Sequence, residues 1–130
     1  MNDGELKHRV NQVMYELMTS LGVVTPVDVM QKVGVLSKAN YEKWRNGKVD
    51  YLERVCTCNL STLSTLMQEI RVFAKKNELN PSWTYYHGWA NAKDQKLRFS
   101  KSGTEAIEQS YATSYISPKT ITKLKTEKNP

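Results

Sequence analysis

Residues 25–47, TPVDVMQKVGVLSKANYEKWRNG, constrain this chain more than any other stretch. Thr25 can cap a helix with its hydroxyl, and Pro26 suits a first helical position, where a backbone N–H has no partner anyway. Gly34 supplies a tight turn after Val33. Ser37 then caps a second helix with Tyr41 and Trp44 on one face. Gly47 ends that helix in a position that favours a left-handed residue. The stretch is predicted as two short helices joined by a tight turn.

Its flanks read as helices too. In residues 5–21, Leu6, Val10, Val13, Met14, Leu17, Met18 and Leu21 recur at three- and four-residue steps and form one apolar stripe. Asp3 is the expected N-cap and Gly22 the expected stop. The stripe fits a packing helix, and a dimer contact would use the same spacing. Residues 50–58 are expected to hold a short helix set by Leu52 and Val55. Asn59 or Ser61 then caps a long helix over residues 62–76, with Leu63, Leu66, Met67, Ile70, Phe73 and Ala74 on its core side. Arg71, Lys75 and Lys76 fall near its C-terminus, where the helix dipole favours cations.

The character changes at Asn80-Pro81, because proline cannot continue a helix. Residues 81–101 are aromatic, basic and punctuated by glycine. Residues 83–89 and 96–100 are expected as the strands of a small hairpin. Ser102 followed by Glu105 matches a capping box. It would open a last helix carrying Ile107, Tyr111 and Tyr115. The expected fold is mainly α: a compact helical domain over residues 1–116, with a small β-hairpin or wing-like segment after Pro81. Residues 117–130 are expected to be a flexible Lys-rich tail.

The net charge is +6, and it is uneven. Residues 1–60 carry eight Lys/Arg against seven Asp/Glu, whereas residues 61–130 carry eleven against six. Such an excess suits nucleic acid or an acidic protein. The polar N-terminus has no signal-peptide core, and no apolar run is long enough to span a bilayer, so a cytoplasmic protein with no membrane partner is expected. Cys56 and Cys58 are too close in sequence to bridge within a regular element. They are read as reduced thiols with no metal role. No phosphate loop, dinucleotide fingerprint, zinc-protease motif or nucleophile elbow occurs. His8 and His87 have no nucleophile or carboxylate pair beside them. No catalytic residue, cofactor or metal is therefore assigned, and the protein is expected not to be an enzyme.

Residues 25–47 resemble the helix-turn-helix of phage-repressor-type (Cro/Xre-like) DNA-binding proteins. The resemblance rests on Val29, Met30, Gly34, Val35, Ser37, Tyr41, Trp44 and Gly47, and covers 23 of 130 residues. Met30 stands where a small residue is usual, and Leu36 adds one residue to the spacing. The resemblance implies that the second helix enters the major groove of double-stranded DNA. Lys38, Asn40 and Lys43 are then the base-facing candidates, since Asn can pair with adenine and Lys can reach guanine acceptors. Arg45, Lys48, Lys93, Lys96, Arg98 and Lys101 are the phosphate candidates. A small transcriptional regulator or accessory factor follows, and paired half-sites would call for a homodimer.

The segment after Pro81 supports a different class of function. Aromatic rings stack on bases or anchor protein contacts, and the interleaved cations neutralise phosphates or acidic side chains. Core filling by Trp83, Trp89 and Phe99 is the simplest expectation. The alternative to DNA binding is a non-catalytic adaptor or inhibitor that docks an acidic partner through Trp83, Tyr85, Tyr86 and Trp89.

Overall fold

The computed structural model describes residues 2–122. They form a mainly helical domain with a small antiparallel sheet. Helix α1 spans Asp3–Leu21, α2 Pro26–Val33, α3 Lys38–Arg45, α4 Leu60–Lys76 and α5 Glu105–Ala112. Strand β1 is Val23–Val24, β2 is Asn80–Trp83 and β3 is Thr113–Ile116. No helix among the described residues is long and apolar enough to cross a membrane.

Burial follows the apolar spacing. Leu6, Val10, Val13, Met14 and Leu17 line the inner face of α1, which packs against α4 and α2. Those five side chains are spent inside the domain, whereas Leu21, at the end of the expected stripe, is 63% exposed. On α4 the buried residues are Leu63, Leu66, Met67, Ile70, Phe73 and Ala74, the expected set. The cap of α1 is Asn2, whose Oδ1 accepts the Glu5 N–H at 2.8 Å, rather than Asp3. Asn59 caps α4 through the Thr62 N–H at 2.8 Å. Residues expected as a helix around Leu52 make only the 3-10 turn Leu52–Val55.

The larger corrections lie after Pro81. The expected hairpin forms only around the His87–Lys96 bridge, and strand β2, which ends at Trp83, does not pair with residues 96–100. It pairs with β3, which also takes β1 on its other side, in the order β1-β3-β2. Pro81 is tolerated because β2 is an edge strand. Tyr115, expected on the last helix, lies buried in β3 opposite Val24 and Pro81. That helix starts at Glu105, after Thr104, and the Ser102 hydroxyl accepts the Thr104 N–H instead of closing a capping box. Nor does the expected tail begin at residue 117. Ser117 is buried, donates its N–H to the Gly22 carbonyl at 2.9 Å and caps a helical turn over residues 118–122 through the Thr120 N–H. The rest of that tail, residues 123–130, lies outside the described residues.

Candidate nucleic-acid interface

The turn between α2 and α3 is built around one carbonyl. Met30 O accepts the N–H groups of Gly34, Val35 and Leu36 at 3.1, 3.1 and 3.3 Å. Gly34 takes φ 101°, a conformation other residues avoid. Leu36, the added residue, is 1% exposed and anchors the turn in the core, beside a fully buried Met30. The Thr25 and Ser37 hydroxyls cap the two helices by accepting the N–H groups of Asp28 and Asn40, each at 3.1 Å.

Helix α3 is oriented by its tryptophan. Trp44 is fully buried and donates Nε1–H to the Arg98 carbonyl at 2.8 Å. Its ring lies 5.0 Å from Phe99 and 5.6 Å from Tyr86 between centroids. With Trp44 inward, Lys38, Ala39, Lys43 and Asn46 face solvent. Glu42 is half-buried among them.

A short hairpin docks on the C-terminal end of α3. Residues 86–97 close through the His87–Lys96 bridge, the Gly88 N–H to Gln95 O at 3.0 Å and the Leu97 N–H to Tyr86 O at 2.8 Å. The Trp89 N–H then donates to Arg45 O at 2.6 Å. Gly47, at φ 73°, lets the hairpin approach: a Cβ there would sit 2.9 Å from Ala92 Cβ. The contact brings Lys48 beside the turn that carries Lys93. Lys96 crosses the Tyr85 ring, its Nζ 3.4 Å from the centroid.

The expected site residues therefore divide. Lys38, Lys43, Lys48 and Lys93 are exposed, and Lys96 is exposed over its ring. Asn40 is half-buried, and its Nδ2 donates to Val55 O at 3.2 Å. Arg45 is caged: its guanidinium lies 4.6 Å from the Tyr86 centroid and 5.2 Å from that of Trp89, and donates to Tyr41 Oη at 3.0 Å and His87 O at 2.7 Å. Arg98 donates to the carbonyls of Ser100 and Lys101 and lies over Tyr51. Arg45 is half-buried and engaged within the fold, whereas Arg98 is exposed and its two bonds reach only two and three residues along the chain. Lys101 lines a groove between α4 and α5.

The aromatics also divide. Phe99 is fully buried, whereas Trp83 and Trp89, expected beside it in the core, are 47% and 42% exposed. Tyr85 and Tyr86 are half-buried. Burial raises the Tyr86 phenol above its ordinary range, partly offset by the Thr25 hydroxyl. Trp83 meets Tyr85 edge-on at 5.1 Å.

Sequence reasoning missed the residues that fix residues 97–101. Glu108 is buried and accepts the N–H groups of Phe99 and Ser100 at 2.8 Å each and the Ser100 hydroxyl at 2.6 Å. Glu53 accepts the Lys101 N–H at 2.9 Å and the Tyr111 hydroxyl at 2.7 Å. Burial, then this bond to Glu53, push the Tyr111 phenol far up. The only signal for Glu108 in the sequence is its place between Ile107 and Tyr111 on a short helix. No family model, curated protein or solved structure matches the chain.

Proposed function

We propose that this protein binds double-stranded DNA with the outer face of α3 and the hairpin docked beside it. The observation that carries this reading is the set of exposed lysines on α3 and on the segments that meet at its C-terminal end. Lys38 and Lys43 stand on α3, Lys48 and Lys93 follow the contacting residues Gly47 and Ala92 in the chain, and Lys96 lies on the same hairpin. None of them forms an ion pair among the described residues. Unpaired cations on a convex helix and an adjoining loop match a phosphate backbone, where each neutralised phosphate releases counterions.

The division of labour differs from the one the motif alone implies. Asn40 is tethered to Val55 and Arg45 is caged, so neither leads. Lys38 and Lys43 meet the groove. Glu42, on the same face, can accept from a cytosine amino group. Lys48, Lys93 and Lys96 neutralise phosphates. A role as a small transcriptional regulator or accessory factor is consistent with this.

Fluorescence anisotropy with a random-sequence duplex at two salt concentrations tests the reading. Binding that weakens with salt is expected. Lys93→Ala with Lys96→Ala should weaken every sequence alike and flatten the salt slope by about 0.9 per lost phosphate contact. Lys38→Ala with Lys43→Ala should alter sequence preference. Absence of duplex binding at low salt would refute it.

The exposure of Trp83 and Trp89 favours a second reading, an adaptor that grips an acidic protein partner. It predicts no DNA affinity, and loss of a captured partner when both tryptophans are truncated.

A further inference from the structure

The groove between α4 and α5 encloses about 900 Å³, the size of many small-molecule sites. From α4 it is lined by Leu60, Ser64, Met67 and Arg71. These recur at steps of four, three and four, so they form one line along the helix, about 16 Å long at 1.5 Å per residue. Ile107 and Tyr111 of α5 form the opposite wall, and residues 100–102 line it as well. Leu60 and Ile107 leave 57% and 41% of their surface exposed there. Large apolar side chains open to water along a concave surface favour an apolar occupant.

Charge selects the kind of occupant. The acid lining the groove, Glu53, is already committed, one oxygen to the Lys101 N–H and the other to the Tyr111 hydroxyl. The cations are not. Arg71 donates one N–H to Ser110 Oγ at 3.2 Å, and neither it nor Lys101 forms an ion pair among the described residues. A guanidinium has five N–H donors in a planar fork, which leaves Arg71 able to grip a carboxylate with two parallel bonds.

We propose that this groove binds an amphiphilic carboxylate: an apolar chain laid along Met67 and Ile107, with its head group on Arg71. The site is independent of the DNA-binding reading. Residues 100 and 101 belong both to the groove and to the segment that accepts the Trp44 indole N–H, so an occupant touches the framework that orients α3.

Titration calorimetry on the whole chain tests the proposal, with decanoate below its micelle concentration and decyltrimethylammonium as the oppositely charged control. Saturable binding of decanoate and about tenfold weaker binding of the cation are expected, since a charge-assisted hydrogen bond carries at least that factor. Arg71→Ala should cost decanoate about the same factor. Ile107→Asp should abolish binding, and Ile107 is exposed enough for that variant to fold, which circular dichroism checks. Equal binding of anion and cation, indifference to both substitutions, or no saturable binding of decanoate would each overturn the proposal.

Discussion

The α1–α4 pair and residues 86–104 of this protein are held by different means. The helix pair rests on many apolar side chains, each contributing a little, with Asn11 Nδ2 donating to Glu69 Oε1 at 2.7 Å as a polar tie. Residues 86–104 contain little regular structure. They rest on a few polar groups reaching in from other elements: Glu108 and Glu53 on the backbone of residues 99–101, the Trp44 indole on Arg98 O, and Arg45 on His87 O. Distributed burial degrades gradually when one member is lost. A few acceptors facing buried donors fail together, because an orphaned buried N–H keeps its full desolvation cost.

The sharpest way to break this contrast is Glu108→Ala. It strands the Phe99 and Ser100 N–H groups, and should cost roughly 2–5 kcal/mol, read from the urea midpoint. Glu108→Gln has one acceptor oxygen where two are used, so it should fall between the variant and the parent. If both cost no more than truncating an exposed residue of α4, the clamp is not what orders this segment.

A smaller effect is expected at Arg45. Arg45→Lys keeps the charge but loses the planar contact with Tyr86 and Trp89 and the paired donors to Tyr41 and His87. It should cost about 1–2 kcal/mol and speed hydrogen exchange at the Trp89 N–H while leaving α1 and α4 unchanged. Equal exchange in both regions would mean that the hairpin and the helix pair open as one unit.

The smallest effect concerns pH. Burial, with the nearby Cys58 and Glu53, pushes the Cys56 thiol from 9.0 up to about 12. The neutral thiol is therefore favoured in the fold. Its contribution is complete below about pH 9 and is lost as pH climbs towards about 12. Stability should decline with pH across that window, and less steeply in Cys56→Ala. Alkylation of Cys56 at neutral pH should be slow, because the thiolate is the reactive form.

The same contrast explains what could be read from the sequence. Helices α1, α2, α3 and α4, with the caps at Thr25, Ser37 and Asn59, follow from local rules, since spacing and capping act within one or two turns. The tie of β3 to both β1 and β2 was not legible. Residues 23–24, 80–83 and 113–116 are too short to show alternation, and their pairing is decided by the packed helices. The exposure of Trp83 and Trp89 was also invisible, because Trp44 took the central core position that composition could not assign. At the candidate interface, Lys38 and Lys43 were legible from their place on α3. The tethering of Asn40 and the caging of Arg45 required knowing what lies across from them.

The most direct test of the proposed interface is an NMR titration of the labelled protein with a short duplex. Shifts should concentrate at residues 38–48 and 89–96, with the buried stripes of α1 and α4 undisturbed. Shifts centred on the α4–α5 groove, or none at low salt, would contradict it.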